Sequence, residues 1–219
     1  MKVEVPEFDA LILAGGRSSR LGGVPKQHLV FGGSTLLQRS LSAAAGARKV
    51  VVVGPDSGPL PDGVATCREQ PEFAGPAAAI AAGLEALSEG GAGSGYTLVL
   101  ACDMPLVADA VRTLSLALAA EADKPEALLA SADDGSPEGR IQPLVGFYRT
   151  SGLRSAVQKL EGNGNLVNAS VRALLASLDV QLVMVPAAST ADVDTWDDAA
   201  ALGVAAGDQH SSQQRRSRS

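Results

Sequence analysis

Two segments of this sequence could do chemistry together: a cationic glycine-rich loop and a lone carboxylate after an apolar run. The loop reads Leu13-Ala14-Gly15-Gly16-Arg17-Ser18-Ser19-Arg20-Leu21-Gly22-Gly23-Val24-Pro25-Lys26-Gln27. Its glycines let backbone N–H groups approach an anion with no Cβ in the way. Arg17, Arg20 and Lys26 add cations in a chain whose net charge is −6. That combination suits a polyphosphate. The carboxylate is Asp103, in Leu98-Val99-Leu100-Ala101-Cys102-Asp103-Met104-Pro105. An oxygen ligand there could hold Mg2+ against phosphate oxygens, where the ion would polarise a phosphate and neutralise developing charge. Plainer roles compete with these: the arginines could serve solubility alone, and Asp103 could cap the helix that follows Pro105.

Both segments must be carried by strands that end at the same place. Short, largely apolar runs mark such strands: Ala10 to Ala14, Lys49 to Val53, Tyr96 to Ala101 and Ala127 to Ala130, with a weaker one near Val64 to Arg68 and a late strand at Val180 to Val185. Pro143 to Tyr148 also reads as extended. Helical patterns fall between them, at about Thr35 to Ala45, from Pro76 to about Leu87, at Val107 to Ala120 and at Thr195 to Leu202. This alternation predicts a three-layer α/β fold of Rossmann-like type, a mainly parallel sheet with helices on both faces. In such a sheet ligands bind beyond the carboxyl ends of the strands, where the glycine loop and Asp103 would meet.

Composition narrows the function further. With 219 residues, 46% of them hydrophobic, the chain can fill one domain, placed at residues 1–207. The remainder, Asp208 to Ser219, is polar and basic and is expected to be a disordered tail, its arginines either solvated or a recognition patch. Aromatics make up only 3%, too few for a surface that stacks single-stranded nucleic acid, and the acidic balance disfavours a phosphate-backbone binder. Cys67 and Cys102 form no paired motif, so neither a disulfide framework nor a zinc site is expected. The opening MKVEVPEFDA lacks a signal-peptide pattern and no apolar run is long enough for a bilayer, so a cytoplasmic protein with no membrane partner is expected. Neither the P-loop spacing nor the dinucleotide glycine fingerprint is present, which leaves an NTP hydrolase or an NAD-linked oxidoreductase without support.

The string LAGGRSSRLGGVPK resembles the signature loop of nucleotidyltransferases of the nucleotide-diphospho-sugar transferase type, roughly LAGGxxxRxGxxK. Gly22-Gly23 ahead of Pro25-Lys26 is most similar to the molybdenum cofactor guanylyltransferase family, whereas Pro25-Lys26-Gln27 also resembles the cytidylyltransferases of isoprenoid synthesis. Asp103-Met104-Pro105 resembles the guanylyltransferases' metal-binding segment. Phe73 to Ile80 is similar to their GGPLAGI segment at base and ribose, with Ala77 and Ala79 where Leu and Gly are usual. Arg68 and Glu69 fall in the region that reads the base. Arg140-Ile141-Gln142-Pro143-Leu144 and Asp192-Val193-Asp194-Thr195 resemble two acceptor-side segments, although Asp192 and Asp194 could also cap the final helix. An arginine common in the family is missing between Gly162 and Val167.

The resemblance implies Mg2+-dependent transfer of GMP from GTP to molybdopterin-bound molybdenum, with release of pyrophosphate. It implies nucleotide contacts at Leu13, Ala14, Gly15, Gly16, Lys26, Gly54, Arg68, Gly75 and Asp103. Lys26, Arg17, Arg20 and Asp103 would be catalytic, Asp103 and Asp194 would hold the metal, and Arg140, Gln142, Asp192 and Asp194 would face the acceptor. GTP and a molybdopterin-type acceptor are the implied partners, with other proteins of molybdenum cofactor assembly as further candidates. Two rival functions are a cytidylyltransferase acting on molybdopterin or an isoprenoid precursor, and a nucleotide-binding regulatory domain without turnover.

Overall fold

Apolar runs that do not alternate with polar residues have two faces to bury, and the strands they form are covered on both sides. In the computed structural model, residues 5–16, 18–89, 91, 93–121, 123–133, 135 and 139–207 are described. Arg17 and the tail expected from Asp208 to Ser219 lie outside them. The elements in chain order are β1 (Phe8–Leu13), the short strands β2 (Val30–Phe31) and β3 (Ser34–Thr35), α1 (Leu36–Ala43), β4 (Val50–Val53), β5 (Val64–Cys67), α2 (Pro76–Ser88), β6 (Tyr96–Ala101), α3 (Val107–Ala120), β7 (Ala127–Ala132), β8 (Arg140–Arg149), α4 (Thr150–Gly162), α5 (Val171–Leu175), β9 (Val180–Val185) and α6 (Trp196–Leu202). Every residue of β1, β6 and β7 is buried.

The main sheet runs β5-β4-β1-β6-β8-β7-β9. Its pairings are parallel except around β8, which is antiparallel to both β6 and β7. The reversal has a simple cause. Only a short connection separates β7 from β8, and a parallel return would need a crossover of about a dozen residues or more. Helices α1 and α3 cover one face through Leu37, Val111, Leu114 and Leu118. The other face is covered by α2, α4 and α5 through Ile80, Leu84, Leu153, Val157 and Leu174. The expected three-layer architecture is present, and β8 is its one reversed strand.

A third, smaller cluster lies off the sheet. Leu21, Leu29 and Leu36 pack with Val193, Ala199 and Val204. These residues come from the glycine loop, the start of α1 and the region of α6. Burial of Leu21 and Leu29, each at most 1% exposed, ties the loop to the end of the domain. Val30 and Ala205 reinforce it with two backbone hydrogen bonds of 2.8 Å. No helix among the described residues is long and apolar enough to cross a membrane.

Candidate active site

The chain leaves β1 towards β4 and β5 on one side and later returns to β6 on the other. Loops that leave β1 and β6 therefore diverge, and a crevice opens between them at the carboxyl ends of the strands. The register is tight there: Leu13 pairs with Ala101, and the Cys102 N–H donates to the Leu13 carbonyl at 3.1 Å. Asp103 is thus delivered two residues beyond the point where the glycine loop begins.

Beneath the loop lies Gly54, at the end of β4. A Cβ there would come within 2.9 Å of the Ala14 carbonyl carbon and the Gly15 nitrogen. Only glycine lets the two chains cross this closely. Opposite, Gly75 precedes α2 with φ 94, and a Cβ on it would crowd Asn168 and Ala169. Pro76 then opens the helix with its fixed φ.

The loop and strand ends enclose a cavity of about 510 Å3. Its lining includes Leu13, Gly15, Gly16, Ser19, Arg20 and Lys26 from the loop and Glu69, Phe73, Gly75, Asp103, Leu144 and Asp194 from other segments. Lys26 Nζ donates to Asp103 Oδ2 at 2.9 Å and also to Asp194 Oδ1. Arg20 Nη1 lies 3.7 Å from Asp194 Oδ2 but is largely exposed, so that contact is worth little energetically. Burial alone would push the Lys26 amine down; the charges and hydrogen bonds of Asp103 and Asp194 overcome it and hold its pKa above the ordinary lysine value. Burial raises the Asp103 carboxyl above its usual range, and Lys26 only partly reverses this.

Three carboxylates can act here as one ligand set. Asp103, Asp192 and Asp194 each offer an oxygen, and these oxygens lie within 4.8 Å of one another. Asp103 Oδ1 is buried without a hydrogen-bond partner. A hard oxygen donor set with one open lone pair fits a divalent cation such as Mg2+. None of the three is used as a helix cap. Thr195 and Asp198 form the capping box of α6, and α3 begins after Leu106 with no side-chain cap.

The other sequence-assigned residues divide. Leu13, Gly15, Gly16, Arg20, Lys26, Gly75, Asp103 and Asp194 line the cavity. Ala14 is buried behind it, and Gly54 supports it from below. Arg68 lies in the neighbouring groove against α2 and α4, paired with Glu72 at 2.7 Å. Arg140 and Gln142 sit on the part of β8 that overhangs the end of β6, since the β6–β8 register stops at Val145. Of that overhang Leu144 reaches the cavity; Arg140 is exposed, and Gln142 Nε2 donates to the Thr190 carbonyl at 3.3 Å.

Two cavity residues, Glu69 and Phe73, fall in segments that resemble the base-reading and base–ribose regions but were not among the assigned site residues. Glu69 is 6% exposed, accepts the Phe73 N–H at 3.0 Å through Oε1, and leaves Oε2 buried and unpartnered. Its type was the available signal, because a carboxylate complements the N1–H and amino donors of guanine, whereas a guanidinium such as Arg68 does not. The cysteines offer no nucleophile. Burial pushes the Cys67 thiol up to about 11 and the Cys102 thiol further still.

A family model described as "MobA-like NTP transferase domain" matches residues 10–183. A molybdenum cofactor guanylyltransferase of Ralstonia nicotianae is 30% identical over 204 residues, which is 88% of this chain and 94% of that protein. Among solved structures, molybdopterin-guanine dinucleotide biosynthesis protein A of Archaeoglobus fulgidus superposes with a TM-score of 0.63 at 20% identity, over 89% of this chain and 96% of that one. The 2-C-methyl-D-erythritol 4-phosphate cytidylyltransferase of Thermus thermophilus superposes equally well, with a TM-score of 0.63 at 24% identity, over 90% and 97% of the two chains. Guanylyl- and cytidylyl-transferring proteins thus share this fold, and the fold by itself does not choose the base.

Proposed function

The chain belongs to the MobA-like NTP transferase family as a nucleotidyltransferase, and on that premise we propose that it transfers GMP from GTP to molybdopterin-bound molybdenum, releasing pyrophosphate. The observation that carries the choice of base is the buried, unpartnered Oε2 of Glu69 in the cavity wall. Guanine brings two adjacent donors to such an oxygen. Cytosine presents one amino donor beside two acceptors, N3 and O2, and a carboxylate repels the acceptors.

The remaining residues fit one reaction. Gly15 and Gly16 let the loop backbone follow the triphosphate, with Leu13, Ala14, Gly54 and Gly75 fixing its path and the approach of α2. Lys26, Arg20 and Arg17 stabilise charge that builds on pyrophosphate as it leaves. Asp103, Asp192 and Asp194 are the residues that would hold Mg2+, which supplies Lewis-acid polarisation of the phosphate when bound. A terminal phosphate of the acceptor attacks the α-phosphate in line, entering from the β8 overhang with Arg140 and Gln142 at its edge. No protein nucleophile is required, since positioning and electrostatics supply the catalysis. The free cysteines suit a reducing cytoplasmic compartment.

The test is a screen of all four NTPs with Mg2+, with and without molybdopterin, read as pyrophosphate release. GTP-selective release that requires molybdopterin is the expected result. Selectivity for CTP would replace guanylyl by cytidylyl transfer, and nucleotide binding without turnover would favour a regulatory domain.

A further inference from the structure

We infer that Phe73 determines base specificity: its ring forms one wall of the base-binding end of the cavity and stacks on the bicyclic ring of a purine nucleotide. The inference rests on the nucleotidyl-transfer reading above and gives a role to a side chain that reading leaves idle.

Aromatic side chains are scarce in this protein, at 3%: Phe8, Tyr96, Phe147 and Tyr148 are buried in the core, Phe31 is half-buried and Trp196 is exposed on α6. Of the seven aromatic residues, Phe73 is the one that lines the cavity. It is 40% exposed and lines the cavity beside Glu69 and Gly75.

Its backbone is also unusual. Phe73 has φ 62, in the left-handed region that bulky residues seldom adopt and that persists only when the surroundings enforce it. They do so here. The Phe73 N–H donates to Glu69 Oε1 at 3.0 Å, and the Ala74 carbonyl accepts from the Asn168 N–H at 2.6 Å. One hydrogen bond therefore ties the Glu69 carboxylate to the backbone of Phe73 and places the two residues together at the cavity wall.

The ring is braced from behind. The Arg68 guanidinium lies 5.6 Å from its centroid and is held by Glu72 at 2.7 Å. Arg68 lines the groove against α2 and α4 rather than the cavity, so the cation occupies the side away from the substrate. The cavity side is where a base would lie. Glu69 then meets the edge of that base and Phe73 its face. A purine overlaps a phenyl ring more fully than a pyrimidine does, so Phe73 selects for ring size while Glu69 separates guanine from adenine.

Calorimetry on the full chain with GTP, CTP and inorganic tripolyphosphate, each with Mg2+, tests this. Phe73→Asn removes the ring but accepts the left-handed backbone, so its melting temperature should equal or exceed that of wild type. GTP affinity should fall about tenfold, the loss expected for one aromatic–base stack. CTP should lose less, and tripolyphosphate should bind as before. Phe73→Tyr keeps the ring and should keep the GTP affinity. Unchanged GTP binding by Phe73→Asn would overturn the stacking role while leaving the nucleotidyl-transfer reading in place. An equal loss for tripolyphosphate would also overturn it, as a general disturbance of the cavity. Wild-type protein that binds tripolyphosphate but no nucleotide would remove that reading and this inference with it.

Discussion

Lys26 Nζ lies 2.9 Å from Asp103 Oδ2, and the same amine reaches Asp194, so the phosphate-loop lysine sits between carboxylates that could hold a metal. The amine offsets their charge when no cation is bound. On the proposed function a divalent ion would compete with Lys26 for the same oxygens, and the lysine would become available to a triphosphate as the ion takes its place.

Replacing Lys26 with Met should therefore have opposite effects on metal binding and on turnover. Mn2+ affinity of the nucleotide-free protein should rise about tenfold, a difference of about 1.4 kcal/mol. Turnover should fall by about 10²–10³-fold, as when a group that stabilises transition-state charge is removed. Lys26→Arg should restore only part of the rate, because its planar fork differs in reach and hydration. Titration of free Mn2+ by electron paramagnetic resonance reads the first effect; an unchanged affinity would separate the amine from the metal site.

Asp103→Asn should fold with a melting temperature no lower than that of wild type when metal is absent. Burial penalises the Asp103 charge and Oδ1 has no hydrogen-bond partner, so neutralising it relieves a cost. The variant should nevertheless lose about 10²–10³-fold in turnover, and Mg2+ with GTP should raise its melting temperature less than that of wild type. Turnover within about tenfold of wild type at saturating Mg2+ would take Asp103 out of the metal site.

Glu69→Gln should weaken GTP binding by about 1–3 kcal/mol, since an amide presents a donor where guanine also donates. Tripolyphosphate affinity should not change, because Glu69 is placed at the base end of the cavity. Equal losses for both ligands in calorimetry would place Glu69 in the structural support of the loop instead.

Acid should destabilise the fold partly through Asp9. Burial alone would raise its pKa, but hydrogen bonds from Arg48 and Ser94 outweigh burial and hold it below the usual 3.8. A depressed carboxylate contributes stability above its unfolded pKa and loses it as pH falls through the folded value. The drop in melting temperature between neutral pH and about pH 3 should therefore be smaller in Asp9→Asn than in wild type. Equal drops in the two proteins would remove Asp9 from the acid response.

The strands were legible because their information is local. The apolar runs of β1, β6 and β7 have two faces to bury and every residue in them is buried, whereas β9 at the sheet edge leaves Leu182 and Met184 exposed. The glycines and cations of the loop after β1 can likewise be read without knowing their neighbours. Even the position of the crevice follows from strand alternation, which sends the glycine loop and Asp103 to the same edge of a parallel sheet. Arg68 and Glu69 show where this stops. Neighbours in sequence at the end of β5, they face different cavities, and periodicity could not say which turns inward.

The carboxylate cluster was decided only by tertiary packing. Lys26 and Asp194 are 168 positions apart, and no local pattern relates them. Leu21, Leu29 and Leu36 bring them together by burying against Val193, Ala199 and Val204. The sequence determined the chemical type of each group and the strand end from which the first ones emerge. The three-dimensional fold decided which charges share a cavity, because burial of apolar surface is non-directional and its partners are chosen by the whole chain.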